Sequence, residues 1–323
     1  MKAIQFEKTG GPEVLQLVEI DLADPAPGEV QLRHTAIGLN FVDTYFRSGL
    51  YPVQLPSCLG NEAAGVITKL GKGVKGFKIG DRVAYGSGPL GAYQEARNIA
   101  THQLIKLPKG VSDETAAAMV LKGMTVRYLL RATYKVKRGE TVLFHAASGG
   151  VGQIFGQWCK ALGVKAIGTV GSDDKVKFAK AHGYAHVINT ATEDIVARVK
   201  EITKGKGVPV VYDSIGRDML AVSLDCLQPR GLLVSFGNSS GAITDFKVGQ
   251  LAAKGSLYIT RPTLANYIAT KKEFAATVRD LLKVVKSGKV KININQRYAL
   301  ADAGKAQADL QARRTTGATI LIP

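Results

Sequence analysis

Cysteine is scarce in this chain, and the ligands of a zinc or disulfide framework are missing. The 323 residues include three cysteines, Cys58, Cys159 and Cys226, which are far apart and show no paired spacing. Scattered cysteines are typical of proteins whose thiols stay reduced, so we expect free cysteines and a cytoplasmic location. Three cysteines cannot supply a structural zinc site of four cysteines.

Long apolar runs are also lacking. No stretch approaches the roughly 20 apolar residues that a membrane-spanning helix needs, and we expect no membrane partner. The first eight residues carry charge and alternate like a strand, which is not the pattern of a signal peptide.

Acidic residues are outnumbered, with 26 Asp and Glu against 43 Lys and Arg, for a formal net charge of +17. Most of this excess follows residue 122. A surface of this charge attracts polyanions such as a dinucleotide or a nucleic acid. No run of five basic residues and no nucleic-acid motif is present, so nucleic acid is a minor alternative as partner.

What the chain does contain is one clear strand–turn–helix–strand unit. Thr141–His145 is a short apolar run of strand-forming residues, and residues 146–152 form a turn rich in glycine. Gln153–Leu162 has apolar residues at helical spacing, and Val164–Val170 reads as a second buried strand. This order predicts a βαβ unit.

The turn has the spacing A-x-x-G-x-x-G, with Ala146, Gly149 and Gly152 at its fixed positions. Residues without side chains let a pyrophosphate approach the backbone, and the start of the helix offers N–H groups and a positive dipole end. The pattern is a variant of the dinucleotide-binding fingerprint. The alternative is a glycine-rich turn that binds nothing.

The end of the second strand indicates which dinucleotide is bound. An acidic residue there would favour NAD, but Val170 is followed by Gly171 and Ser172, and Lys175 comes shortly after. Room for a phosphate beside a cation favours NADPH. Asp173 and Asp174 would argue for NAD if they faced the phosphate, and we expect them to cap the next helix instead.

The first 110 residues read as closely spaced strands separated by turn signals, which predicts a small barrel or sandwich. Phe41–Ser48 is expected to be a helical turn. Asp113–Leu130 reads as helical, with Ser112 as N-cap and Gly123 dividing it into two helices.

From residue 141 onward, strands and helices alternate through six predicted strands, enough for a doubly wound parallel sheet. Lys271–Ser287 is a strong amphipathic helix, and the last elements are expected to return to the first domain. We therefore predict a first domain of residues 1–122 and 268–323 and an inserted dinucleotide-binding domain of residues 123–267.

Motifs spread over nearly the whole chain support a family resemblance. They are Gly38–Tyr45, Ser48–Pro52, Gly60–Gly65, Gly80–Val83, Ala146–Gly152, Val211–Ser214 and Ser235–Gly241. With these motifs the chain resembles the medium-chain dehydrogenase/reductases, in the zeta-crystallin-like quinone oxidoreductase branch, and most of all its bacterial NADPH-dependent members. The resemblance implies an α/β fold, with a GroES-like β-rich catalytic domain and an inserted Rossmann domain.

The resemblance also implies chemistry without zinc. In zinc-dependent relatives a cysteine stands where this chain has Asn40, and a histidine stands where it has Asn61. A quinone suits hydride delivery without a metal, because it is already a strong acceptor and becomes aromatic on reduction. The protein then has to place it against the nicotinamide, exclude water and offer hydrogen bonds.

The family's functional positions carry over where the sequence matches. Asn40, Tyr45 and Tyr51 are implied beside the nicotinamide and the substrate, with Asn40 able to donate an amide N–H. The implied cofactor-binding residues are Asn40, Asp43, Tyr128, Gly149, Gly150, Val151, Gly171, Ser172, Lys175, Ser214, Phe236, Asn238, Ser239, Arg261 and Arg313. Relatives often have a tyrosine where this chain has Thr190, so some contact with the adenosine end is lost or replaced.

The resemblance further implies a homodimer that pairs through Ser256–Thr260, an expected edge strand of the cofactor sheet. Three other functions stay open at this point. The chain could reduce enones or other activated alkenes, bind RNA like some members of the wider branch, or bind the cofactor as a redox sensor without turnover. His145, at the end of a strand, is expected to be structural.

Overall fold

The computed structural model describes residues 1–323, and the chain divides into two compact units. The first unit comprises Met1–Met124 and Ile292–Pro323, and the second is Thr125–Lys291. The predicted second boundary, 267/268, falls earlier than this one. The reason is that the long helix before residue 291 belongs to the second unit, where Asp280 pairs with Arg127 at 3.1 Å.

The chain contains sixteen strands. In order they are β1 Lys2–Phe6, β2 Gln16–Glu19, β3 Glu29–Leu39, β4 Ser57–Cys58, β5 Ala63–Leu70, β6 Arg82–Tyr85, β7 Ala96–Ala100, β8 Ile105–Lys106, β9 Thr141–Phe144, β10 Lys165–Val170, β11 His186–Asn189, β12 Val208–Asp213, β13 Leu227–Ser235, β14 Tyr258–Thr260, β15 Ile294–Ala299 and β16 Ala318–Ile322.

Ten α-helices accompany the strands. They are α1 Phe41–Ser48, α2 Asp113–Tyr128, α3 Gly150–Leu162, α4 Asp173–Ala181, α5 Ile195–Ile202, α6 Leu220–Asp225, α7 Gly249–Ala253, α8 Leu264–Tyr267, α9 Lys271–Lys286 and α10 Ala303–Gln311. No helix combines the length and the apolar character required to cross a bilayer.

The second unit is built on a six-stranded sheet with the order β11-β10-β9-β12-β13-β14, and every pair in it is parallel. The strand order turns back at β9, so β10 and β12 lie on either side of it. This is the doubly wound arrangement, in which ligands bind beyond the carboxyl ends of the strands at the point of reversal. The predicted six-stranded parallel sheet is confirmed.

The first unit is β-rich, as predicted. A three-stranded sheet has the order β2-β1-β4, and a seven-stranded sheet has the order β15-β16-β3-β5-β6-β8, with β7 also paired to β3. The eleven-residue strand β3 lies at the centre of the larger sheet. It ends at Leu39, directly before Asn40 and helix α1, so the sheet fixes where α1 begins.

Helix α2 corrects one expectation from the sequence. It runs without interruption through Gly123, and a π-helical turn, Leu129–Thr133, continues it. Burial explains the difference, because a helix packed on all sides is stabilised by its contacts and tolerates the weak helix propensity of glycine. Ser112 is the predicted N-cap, and its Oγ accepts the backbone N–H of Thr115 at 3.1 Å.

Two strand limits are set by where regular pairing begins. The residues before Ala96 make a single bridge, between Ala3 and Gln94, so β7 begins only at Ala96. Strand β13 begins at Leu227, since Val208 on β12 already pairs with Leu227.

The close contact between α3 and the turn that precedes it predicts an effect on stability. A Cβ at Gly152 would lie 2.6 Å from the backbone carbon of Ala147, which cannot move without displacing the turn. We expect Gly152→Ala to lower the free energy of unfolding by about 1–3 kcal/mol, in the range of overpacking substitutions. Urea denaturation measures it.

Gly249→Ala is the matched control, because a Cβ there meets nothing within 4 Å. The control should be as stable as the wild type or slightly more stable, since alanine favours a helix. Equal stability of the two variants would contradict the packing argument.

Candidate active site

The turn after β9 forms a bare surface at the start of α3. Ala146 adopts the left-handed region at φ 60°, and Gly149 is the N-cap residue of α3. A Cβ at Gly149 would touch only the carbonyl oxygen of Ala146, at 3.4 Å, so the space beyond it is open. The first N–H groups of a helix have no partner within the helix and, together with its dipole, suit an anion. This turn fits the pyrophosphate of a dinucleotide.

Open space also follows β10, where the sequence predicts the adenosine phosphate. Nothing lies within 4 Å of a Cβ built on Gly171. Ser172 is the N-cap residue of α4, and Lys175, half-buried, stands in its first turn. The open space at Gly171, with a lysine in the first turn of the next helix, can receive a phosphate group.

The two acidic residues nearby do not cap α4 in the way expected from the sequence. Ser172 occupies the cap position, and Asp173 and Asp174 are the first two residues of the helix. The Asp173 carboxylate accepts a hydrogen bond from the Asn189 side chain at 2.8 Å. Asp173 is therefore engaged with the end of β11.

The loops after β12, β13 and β14 are tied together in the second unit. The backbone N–H of Ser239 donates to the Ser214 carbonyl at 3.2 Å. Arg261 donates to the carbonyl of Ser235 at 2.9 Å. With the Asn238 amide turned so that both of its atoms find partners, its oxygen accepts from Arg261 at 3.1 Å. Four of the sequence-predicted residues thus lie in one cluster with Ser235.

The loops after β12 and β13 can approach each other closely because residue 237 is a glycine. A Cβ on Gly237 would lie 2.8 Å from the Ser214 Cα, so only glycine fits between the two loops. Phe236, which follows β13, packs against Phe144 with ring centroids 5.7 Å apart. The phenyl ring thus links this cluster to the strand that precedes the glycine turn.

Tyr128 ends α2, and its ring stacks on that of Tyr267 with centroids 4.6 Å apart and an angle of 11° between the planes. Burial raises the pKa of Tyr128, so its hydroxyl stays protonated. Arg313, the remaining predicted cofactor residue, follows α10 in the first unit. It is exposed and has a left-handed backbone at φ 58°.

In the first unit, Asn40 begins α1 and is 6% exposed. Asn40 and Asp43 form a capping box at the start of the helix. One oxygen of Asp43 accepts the backbone N–H of Asn40 at 2.9 Å and the hydroxyl of Tyr93 at 2.8 Å. Desolvation raises the pKa of Asp43 to about 7. Asp43 is fully buried and therefore reaches a ligand only through Asn40.

A buried carboxylate holds the other side of Asn40. Glu62 Oε2 accepts from Asn40 Nδ2 at 2.9 Å and from Lys122 Nζ at 2.8 Å, and Oε1 accepts the backbone N–H of Leu121 at 2.8 Å. Glu62 is fully buried and the Lys122 side chain is 5% exposed. The absence of a side chain at Gly38 leaves room for the Glu62 carboxylate, because a Cβ at Gly38 would lie 2.7 Å from the carboxyl carbon of Glu62.

These contacts engage the amide donors of Asn40. Its second amide N–H is directed to the carbonyl of Gly38 at 3.3 Å, so both N–H groups already have acceptors within the first unit. An asparagine amide has two N–H donors and one carbonyl acceptor. In this arrangement neither amide N–H of Asn40 is without an acceptor.

The two predicted tyrosines are neighbours. Tyr45 on α1 and Tyr51 after it meet edge to face, with centroids 5.2 Å apart and planes at 66°. The backbone N–H of Tyr51 donates to the Tyr45 carbonyl at 3.0 Å, which fixes the turn that follows the helix. Tyr45 is 7% exposed, and Tyr51 is half-buried.

Sequence reasoning did not select Glu62, Lys122, Tyr93 or Tyr267 as part of the site. One signal was present for Lys122, which is a lone charge in the apolar part of α2. Charged residues are almost never fully buried unless they are paired. A lysine in such a run therefore indicates a buried carboxylate, and Glu62 lay in one of the recognised motifs.

The donor set around Asn40 does not suit zinc. No group of three or more His, Cys, Asp or Glu side chains is placed to hold a metal ion. Protein zinc sites use thiolate, imidazole and carboxylate ligands. Here both carboxylates are already engaged: Glu62 accepts from an ammonium group and two amide groups, and Asp43 accepts from an amide group and a hydroxyl.

Comparison with known proteins shows the family to which the chain belongs. Two family models match the chain: the alcohol dehydrogenase GroES-like domain at residues 26–109 and the zinc-binding dehydrogenase at residues 150–283. A quinone oxidoreductase of Pseudomonas aeruginosa is 54% identical over 323 residues, covering 100% of this chain and 99% of the relative. A 2-haloacrylate reductase from a Burkholderia species is 42% identical and covers 99% and 98%.

A solved structure of Escherichia coli quinone oxidoreductase complexed with NADPH superimposes with a TM-score of 0.98. It is 54% identical and covers 100% of both chains. The chain belongs to the medium-chain dehydrogenase/reductase superfamily, in the quinone oxidoreductase family. The predicted combination of a GroES-like domain and a Rossmann domain is confirmed.

The burial of Asp43 predicts a pH dependence of stability. Its pKa in the folded state is about 7, above that of an unfolded aspartate, so the folded state binds more protons between about pH 4 and pH 7. The contribution of Asp43 to the free energy of unfolding is largest below about pH 4. It is lost as the pH rises toward 7, by up to about 1.4 kcal/mol per pH unit.

We therefore expect the difference in unfolding free energy between the wild type and Asp43→Asn to shift in favour of the variant from pH 5 to pH 8. Urea denaturation across that range measures it. Asp21→Asn, at an exposed position of the same unit, is the control and should show no such trend. Parallel pH curves for the wild type and Asp43→Asn would refute the assignment.

Proposed function

We propose that this protein is a zinc-independent oxidoreductase of the cytoplasm that transfers hydride from NADPH to quinones. The observation that carries the proposal is the turn at Gly149, where no side chain covers the start of a thirteen-residue helix. The open space at Gly171 follows the neighbouring strand of the same sheet. The relatives named quinone oxidoreductase, one of them solved with NADPH, support both the cofactor and the substrate class.

The binding roles follow from the second unit. Gly149, Gly150 and Val151 would hold the pyrophosphate, and Gly171, Ser172 and Lys175 the adenosine 2′-phosphate. The cluster of Ser214, Phe236, Asn238, Ser239 and Arg261, with Tyr128, would bind toward the nicotinamide, and Arg313 of the first unit would also contact the cofactor. NADPH, when bound, supplies the hydride.

The first unit would supply the substrate side through Tyr45 and Tyr51, with Asn40 beside the nicotinamide. A quinone is flat and its two oxygens only accept hydrogen bonds. Tyrosine offers an apolar ring face and a hydroxyl that can donate, so Tyr45 and Tyr51 suit both parts of such a molecule. A donor near the quinone oxygen favours the negative charge that develops there as hydride arrives. Water can supply the proton that completes the hydroquinone.

Zinc independence rests on the donor set. The Asn40 amide donates to Glu62 and Gly38, and the Glu62 carboxylate is paired with Lys122. No thiolate or imidazole stands beside them to hold zinc. Polarisation of the substrate oxygen is therefore a task for protein hydrogen bonds.

A homodimer through β14 is part of the proposal. This strand is at the edge of the six-stranded sheet, and Tyr258 on it is 61% exposed. An unpaired edge offers backbone groups that a second copy can pair with around a two-fold axis.

The function has a direct test. NADPH oxidation by the purified protein should be fast with 1,4-benzoquinone and much slower with an enone series and 2-chloroacrylate, and dialysis against a zinc chelator should leave the rate unchanged. The similarity to the 2-haloacrylate reductase makes activated alkenes the second candidate substrate. A higher kcat/KM for the alkenes would select that alternative, and NADPH binding without turnover of any acceptor would contradict both.

The cofactor choice predicts the effect of a single substitution. Lys175→Ala should reduce the preference for NADPH over NADH by about tenfold or more, because a charge-assisted contact with the 2′-phosphate is lost. Dissociation constants for both cofactors, measured by fluorescence titration, give the ratio. Lys177→Ala, on the same helix but exposed, is the matched control. An unchanged ratio in Lys175→Ala would show that the phosphate is bound elsewhere.

A further inference from the structure

The contacts of Asn40 decide which kind of ligand atom it can bind. Its two amide N–H groups are donated to Glu62 at 2.9 Å and to the Gly38 carbonyl at 3.3 Å. The carbonyl oxygen Oδ1 faces the start of α1, as part of the capping box, and an sp² oxygen has a second lone pair. The hydrogen-bonding capacity that remains for a ligand is that of an acceptor.

The orientation of the amide is imposed by the buried pair behind it. Glu62 is 0% exposed and accepts three hydrogen bonds, one of them from the ammonium group of Lys122. Rotating the Asn40 amide by 180° would bring its oxygen against the Glu62 carboxylate and leave a buried charge with one donor fewer. Unsatisfied buried charges are costly, so the carboxylate selects one orientation of the amide.

The geometry points to a division of roles, and we propose it here. The buried Glu62–Lys122 pair acts as a positioning device that presents Asn40 as a hydrogen-bond acceptor. Asn40 therefore binds a hydroxyl or carboxamide N–H on the nicotinamide half of the cofactor and makes no hydrogen bond to the quinone. The inference rests on the proposed function, because it assumes that NADPH is the cofactor.

The chemistry of the two ligands supports this division. The quinone oxygens are acceptors only, so an amide that can only accept has nothing to bind on them. The nicotinamide half of NADPH carries ribose hydroxyls and a carboxamide, and each of these can donate. Glu62 and Lys122 are buried and reach the cofactor only through Asn40, which makes them positioning residues.

A substitution that removes the donors of residue 40 but keeps its shape tests the proposal. In Asn40→Asp two carboxylates face each other, and at low pH they can share one proton, which restores the hydrogen bond and leaves an acceptor oxygen for the cofactor. The charged or titratable groups around these two carboxylates, the substituted residue and Glu62, are Lys122, Asp43, Tyr93 and Tyr85.

We expect NADPH to bind Asn40→Asp about tenfold or more weakly at pH 8, relative to the wild type, and to recover most of that loss by pH 6. Asn40→Ala should bind weakly at both pH values, and its KM for benzoquinone should change less than twofold. The wild type, measured over the same range, accounts for the titration of Asp43. Fluorescence titration gives the dissociation constants, and circular dichroism at each pH confirms folding.

A second variant keeps the test open if Asn40→Asp does not fold. Glu62→Gln combined with Lys122→Met removes both charges of the pair together and avoids leaving one unpaired in the core. It should weaken NADPH binding while the KM for benzoquinone stays within twofold of the wild type. A merely structural role would instead lower stability and change both constants together.

The outcomes separate the two hypotheses. If the wild type does not bind NADPH, the proposed function fails. If the wild type binds NADPH but Asn40→Asp is as weak at pH 6 as at pH 8, or Asn40→Ala raises the quinone KM and leaves the NADPH affinity intact, the acceptor role of Asn40 is refuted.

Discussion

The hydrogen bonds of the buried Glu62 carboxylate are the contacts on which the polar cluster around Asn40 in the first unit depends. They join the end of β3, the start of α1 and the middle of α2, because Glu62 accepts from Asn40, Leu121 and Lys122. Removing one partner of such a pair is strongly destabilising, since the charge left behind is buried without compensation. The same contact therefore holds three elements together and sets the direction of the amide at position 40.

The second unit contains a turn that fits a polyanion without a buried cation for each phosphate. Backbone N–H groups at the start of α3, exposed by the glycine turn, offer partial positive charge at no cost in side-chain entropy. Under the proposed function, Lys175 contacts only the 2′-phosphate, the group by which NADPH differs from NADH. The division explains why the sequence shows this region so clearly, as glycines at fixed spacing between apolar runs.

The sequence predicted the architecture well where local patterns determine it. Six alternating strands, the glycine turn and the cap at Ser112 depend on periodicity and turn chemistry, and the structure contains them. The division of α2 at Gly123 was wrong because tertiary packing overrides helix propensity there. The second domain boundary was displaced because side-chain pairs such as Arg127–Asp280 join residues far apart in the sequence.

The candidate site was predicted unevenly for the same reason. Glycines, and the polar residues after strand ends, can be recognised one at a time. The direction of the Asn40 amide, the burial of Asp43 and the pairing of Lys122 with Glu62 depend on three segments that meet only in the folded chain. A sequence motif gives the residue type at position 40, but its partners decide whether it donates or accepts.

The most direct measurement of the central claim is the ¹H–¹⁵N spectrum of the Asn40 side-chain amide in asparagine-labelled protein, with and without NADPH. Both protons are donated inside the protein, so the account predicts an amide pair that exchanges slowly with water and keeps its proton shifts nearly unchanged when NADPH binds. A pair that exchanges freely in the absence of NADPH, or whose N–H groups leave Glu62 for the cofactor, would contradict it.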